Sequence, residues 1–236
     1  MALFGQVAAP GATYSLQDAL QMNNLVTVGS GLVFETNSYN VTIGNYQINN
    51  GATVNMGTGT WTLTGTLVSP SAVWNVTSTG AVVNSSSATI VITTTTSSSR
   101  TFNGADKTYG TLTYTLAGST GNLIITGSNT FGTINFSDSS NARTLQFTSG
   151  TTTTITGAFN VNGTSGKLMT INSSTGGSAA TLSKSSGTVS CDYLSIQDST
   201  ATGGAAWYAG ANSTNVSGNT GWIFTAPANG AWFDIL

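Results

Sequence analysis

The 236-residue chain has no histidine, one cysteine, three prolines, and only five basic and seven acidic side chains. Charged residues make up 5% of it, against about 25% in an ordinary soluble domain. Each shortage removes a class of function. Without histidine there is no Ser-His-Asp triad, no imidazole acid–base group and no His-containing zinc site. The single thiol, Cys191, cannot close an intrachain disulfide or build a thiolate cluster, and it reads as a buried, inert side chain. A net charge of −2 leaves no Lys/Arg footprint for phosphate, which argues against nucleic acid and anionic membrane surfaces as partners. No stretch approaches the ~18 consecutive apolar residues of a spanning helix. Residues 1–24 lack the basic and apolar regions of a secretory signal, so an extracellular role implies another exit, such as release on a particle by lysis.

What the chain does have is strand-forming hydroxyl sequence. From Tyr39 to Ser99 it runs without one charged side chain while Val, Ile, Leu and Trp recur throughout. Ser and Thr number 73 of the 236 residues, so the surface must be satisfied by hydroxyl and amide groups. Strict alternation in Thr60-Trp61-Thr62-Leu63-Thr64 and in Thr111-Leu112-Thr113-Tyr114-Thr115-Leu116 puts Thr on one face and apolar side chains on the other, a sheet buried on one side. The eight Asn-x-Ser/Thr sequons match what this composition gives by chance, and carry no argument for glycosylation.

One segment reads as helix. Ser15-Leu16-Gln17-Asp18 has a capping-box spacing, with Leu20 and Met22 following. Beyond it, short apolar-alternating runs are divided by Gly, Asn and Ser clusters as far as about Asp198. Apolar centres at Leu112, Leu123, Ile134, Leu145 and Ile155, and at Ile43, Val54, Leu63 and Trp74, recur about every 11 residues, so two or three strands make a unit within the range of solenoid repeats. The expected fold is all-β: a right-handed parallel β-solenoid over residues 25–200, preceded by an N-terminal attachment arm with a short helix over 1–24. Stacked rungs place like residues above one another, which uncharged Ser, Thr and Asn tolerate and Lys or Glu do not. An antiparallel β-sandwich is the alternative, since it too gives short strands at this spacing.

Composition shifts near Thr200. Residues 201–236 hold Trp207, Tyr208, Trp222, Phe224, Trp232, Phe233, Ile235 and Leu236, an aromatic-rich segment that would cap the last rung or join subunits of a homo-oligomer, a trimer among the candidates.

Candidate chemistry is thin. Paired carboxylates of the glycosidase kind are the one catalytic device available, drawn from Asp18, Glu35, Asp106, Asp138, Asp192, Asp198 and Asp234. The best pair, Asp192 and Asp198, would lie roughly 20 Å apart along one strand, whereas such pairs work at about 5–9.5 Å. Acids at strand ends are expected to make Asx-type turns. Arg100, Lys107, Arg143, Lys167 and Lys184 fall near strand ends as well, where charge discourages edge pairing. The reading is therefore non-enzymatic, with no metal or cofactor. The flat Thr faces resemble those of ice-binding proteins, although no Thr-x-Thr motif recurs visibly at one rung position.

Arg100-Thr101-Phe102-Asn103-Gly104-Ala105-Asp106-Lys107-Thr108-Tyr109-Gly110-Thr111-Leu112 and Leu123-Ile124-Ile125-Thr126-Gly127-Ser128-Asn129-Thr130-Phe131 resemble repeat sequence of β-solenoid proteins of tailed bacteriophages. The stretch from Cys191 through Asp198, Gly203-Gly204, Trp207-Tyr208-Ala209-Gly210 and Asn219-Thr220-Gly221-Trp222 is similar to the closing unit of that group. The resemblance covers roughly residues 100–225; residues 1–90 match in style only. It implies a virion-surface component, a fibre, spike or capsid-decorating protein, joined to other virion proteins through residues 1–24, and it carries no catalytic residue onto this chain. A tailspike module that binds or cleaves a host surface glycan, and an ice-binding, adhesin or filament protein, are the competing expectations.

Overall fold

The computed structural model describes residues 11–65, 71–94, 97–115 and 121–227. Every strand pair among them is parallel, and the antiparallel contacts are two isolated bridges across turns, Thr164 with Lys167 and Thr175 with Ser178. Strands adjacent in sequence do not pair as hairpins, which excludes the sandwich. The chain is a β-solenoid of about nine turns, a three-faced prism in which each turn lays one short strand on each face.

The first face stacks Thr13–Ser15, Val33–Glu35, Thr53–Asn55, the opening parts of Val82–Ile92, Thr108–Tyr114 and Thr130–Ser137, then Thr152–Ile155, Ala180–Ser183 and Ser199–Thr202. The second stacks Leu20–Gln21, Val41–Ile43, Thr60–Leu63, the closing parts of the same three long strands, and Phe159–Asn162, followed by a short sheet of Thr188–Ser190, Ala206–Tyr208 and Trp222–Ile223. The third stacks nine strands from Leu25–Val28 to Thr214–Ser217, among them Ala72–Val76, Arg100–Asn103, Leu123–Thr126, Arg143–Phe147, Met169–Ser173 and Leu194–Gln197.

The 11-residue spacing is half a rung. Leu112 pairs with Ile134 on the second face and Leu123 with Leu145 on the third, so alternate members of the sequence series are neighbours in space. Val54 and Ile155 of the same series lie instead on the first face, which goes uncounted between Leu112 and Leu145 because the long strands there turn its corner with the second face without a break. Glycine makes the corner possible: a Cβ on Gly110 would stand 2.3 Å from the Ala88 carbonyl oxygen, and one on Gly157 2.5 Å from that of Gly132. Backbone stacks on backbone there with no room for a side chain.

The helix expected at Ser15–Met22 is corrected by the structure. Thr13–Ser15 and Leu20–Gln21 are strands paired with Val33–Glu35 and Val41–Ile43, and Leu16 and Met22 donate their amides to the carbonyls of Glu35 (2.9 Å) and Thr42 (2.7 Å). Two turns of isolated helix are marginal in water, whereas the neighbouring rung offers carbonyl partners to the amides of Leu16, Leu20 and Met22. The stack thus begins before residue 25, and it continues through Ser199–Thr202 to Trp222–Ile223.

The interior is filled by inward-pointing apolar side chains, including an aromatic column. Trp61 meets Tyr46 at 4.9 Å between ring centroids and Trp74 at 5.8 Å, Trp74 stacks on Phe102, and Phe102 leads to Tyr109 and Phe131. Each ring thereby lies against aromatic neighbours of the same or adjoining rungs, contacts worth ~0.5–1.5 kcal/mol beyond area burial.

Candidate functional site

The outer faces are built from polar ladders, one residue per rung. On the third face Asn75 Nδ2 donates to Gln47 Oε1 (3.3 Å), Asn103 Nδ2 to Asn75 Oδ1 (3.0 Å), and Thr126 Oγ1 to Asn103 Oδ1 (3.0 Å). On the first face Asn84 donates to Asn55 and Asn55 to Glu35. On the second, Asn160 Nδ2 donates to Asn135 Oδ1 (2.8 Å) and Asn135 Nδ2 to Thr113 Oγ1 (3.0 Å). Rung registration also produces columns invisible in the sequence: Thr60, Thr89, Thr111 and Thr133 on the second face, and Thr152, Thr181, Thr200 and Thr220 on the first.

Where the second face turns toward the third, a shallow groove of about 360 Å³ is lined by Thr113, Thr115, Asn135, Ser137, Asp138 and Ser139. Asp138 organises its wall. Its carboxylate accepts from Arg143 Nε (2.5 Å), the Ser140 and Asn141 amides (2.7 and 3.2 Å) and Asn141 Nδ2 (3.3 Å), which uses most of its acceptor capacity. Burial pushes this carboxyl up, but the Ser140 amide, the Arg143 and Asn141 hydrogen bonds and the Arg143 charge outweigh it and hold it below the ordinary carboxylate value. The groove thus presents hydroxyls and amides beside a neutralised ion pair, a surface suited to a polar uncharged ligand.

The remaining acids do not converge. Asp192 and Asp198 flank Leu194–Gln197 at corners where Tyr193 and Asp198 take positive φ of 55° and 51°. Asp192 accepts from the Tyr193 and Asn212 amides (3.0 Å each) and Asn212 Nδ2 (2.8 Å), and Asp198 from the Gly177 amide (3.0 Å). Asp106 caps the Ser128 amide and Asp18 the Ala19 amide. Asp18 and Asp192 bond amides of their own turns, as Asx chemistry suggests, whereas Asp106 and Asp198 bond amides of a neighbouring rung. Among the described residues no three His, Cys, Asp or Glu side chains group closely enough to hold a metal ion, and no helix is long and apolar enough to cross a membrane. Cys191 is buried 3.9 Å from the Phe159 carbonyl, and burial pushes its thiol up to about 12.

The basic residues are where the sequence misleads. Arg100 and Arg143 open strands of the third face, yet both are fully buried. Arg143 Nη1 donates to the Gly121 carbonyl (3.2 Å), and Arg100 donates to the Gly65 carbonyl (2.5 Å) and Thr94 Oγ1 (3.4 Å). They bond Gly65, Thr94 and Gly121 from inside the prism, a use that only the register between rungs reveals. Lys107 and Lys184 reach across rungs to the carbonyls of Thr79 and Gly157 (2.5 Å each).

At the C-terminal end Trp207 is buried and packs on Phe159 (5.7 Å) and Trp222 (5.3 Å). Their indole N–H groups donate to the Thr202 carbonyl (3.0 Å) and Ser199 Oγ (3.1 Å). Phe224 is partly buried against the core and Tyr208 is half-buried. Trp232, Phe233, Ile235, Leu236 and Asp234 lie outside the described residues. Comparison of the chain with protein-family models, curated proteins and solved structures found no match.

Proposed function

We propose that this chain is a non-enzymatic structural component of a phage particle, exposed on its surface as a fibre, spike or capsid-decorating protein. The observation that carries the reading is the long stack of charge-poor rungs: nine strands on one face at ~4.8 Å spacing make a rod roughly 40 Å long, tied along its surface by amide and hydroxyl ladders. Such a rod supplies length and stiffness, while Asp138 and Asp192 among the described residues are occupied by turn amides and neighbouring side chains. The phage assignment rests on the resemblance of residues 100–112, 123–131 and 191–222. Attachment falls to the N-terminal end and capping or subunit joining to the Trp207–Trp222 end. Particles purified from a lysate by density gradient test it: the chain should co-band with them and be accessible to antibody on intact particles. Recovery only in the soluble or cell-envelope fraction would contradict it.

The groove beside Asp138 favours a second reading, a module that binds a host surface glycan, because hydroxyls and amides flank a fixed ion pair there. Glycan-array binding abolished by Asn135→Ala in the folded protein would support it.

A further inference from the structure

The first face carries an array of hydroxyls that the ladders leave unused. Thr108, Thr130, Thr154, Ser183 and Thr202 form one column over consecutive rungs. Thr152, Thr181, Thr200 and Thr220 form a second column beside it. All are half-buried or exposed, and none of their hydroxyls enters a hydrogen bond among the described residues. On the other faces hydroxyl columns stand singly beside amide-bearing positions: Thr144, Thr170, Ser195 and Thr214 on the third face adjoin the bonded amides of Gln146 and Asn172. The column beside Thr60, Thr89, Thr111 and Thr133 on the second face is interrupted by Val91 and Asn135.

We infer that this face binds the surface of ice. The columns repeat along the stack at ~4.8 Å, and residues two apart on a strand stand roughly 6.6 Å apart. The inter-rung distance is close to the shorter oxygen repeat on the prism planes of hexagonal ice. Threonine is stiff at χ1, so its hydroxyl and methyl hold one presentation. A ligand that engages all these hydroxyls at once must itself be flat, uncharged and periodic in two dimensions. A single sugar or peptide meets a few of them; an ordered water lattice meets all. Charge would break such order through its own hydration, and the outward positions of these strands hold only hydroxyls. Buried Ile155, Leu182 and Ala201 support the array from beneath.

The test is thermal hysteresis and ice-crystal shaping by the full chain, with Thr181→Lys at the centre of the array and Thr170→Lys on the third face as control. Circular dichroism checks that each variant keeps the fold. The expected result is faceted crystals and measurable hysteresis for the parent and the control, with loss of both for Thr181→Lys. No shaping or hysteresis by the folded parent overturns the inference, as does equal activity of the two variants. If Thr181→Lys fails to fold, Thr181→Val, which keeps the strand and removes the hydroxyl, replaces it under the same criteria. Neither outcome bears on the virion reading, which the particle fractionation decides separately.

Discussion

The indole of Trp74 lies parallel to the ring of Phe102, tilted by 6° with 5.8 Å between centroids. The two residues are register partners one rung apart on the third face, so the contact is a direct product of parallel stacking. Phe102→Ala should therefore cost about 3–5 kcal/mol, the range for a fully buried aromatic. Urea unfolding measures it, and a loss below ~1 kcal/mol would mean that the column does not carry the core.

Tyr46 gives the opposite expectation. It is completely buried, its hydroxyl has no hydrogen-bond partner among the described residues, and burial pushes its pKa well above the ordinary value. A buried polar group without a partner costs roughly 1–3 kcal/mol, so Tyr46→Phe should be neutral or stabilising. A clear drop in melting temperature would show that the hydroxyl is satisfied.

Asp138→Asn leaves the Arg143 guanidinium buried beside a neutral amide, and should destabilise by about 3 kcal/mol. Asp138 and Asp192 are both held below the ordinary carboxylate value: burial raises each, and hydrogen bonds more than reverse it, from Ser140 and Arg143 at the first and from Asn212 at the second. A depressed carboxyl contributes stability that is complete above its unfolded pKa and lost as pH falls through the folded one. Melting temperature should be level near neutral pH and fall on acidification below the ordinary carboxylate range, with a shallower fall in Asp138→Asn. An identical slope in both proteins would contradict the assignment.

At the corner between the first and second faces, Gly110→Ala places a methyl 2.3 Å from the Ala88 carbonyl, and overpacking of this kind costs typically 1–3 kcal/mol. Gly176→Ala, where nothing lies within 4 Å, is the control and should leave melting unchanged. Equal behaviour of the two would show that the corner is looser than described.

Fold class was legible because period-two alternation and the 11-residue spacing both survive in the sequence: Leu112, Leu123, Ile134 and Leu145 mark two faces of successive rungs. What was not legible followed from register. Rungs vary in length, as the pairings Thr152 with Thr181 and Ala180 with Ser199 show, so the column Thr152, Thr181, Thr200, Thr220 cannot be aligned by period alone. Arg100 and Arg143 looked like strand-end charges because burial by neighbouring rungs leaves no local mark. The Ser15–Met22 segment carries a genuine helical spacing, and inter-rung backbone pairing overrode it. The groove beside Asp138 had one visible component, an acid at a strand end, and its wall was assembled by residues from three elements.

Electron cryomicroscopy of particles that carry the chain should show a straight three-faced rod of about nine rungs at ~4.8 Å spacing on the particle surface, its N-terminal end toward the particle. Particles whose maps contain no such rod, with the chain found apart from them, would contradict the virion reading.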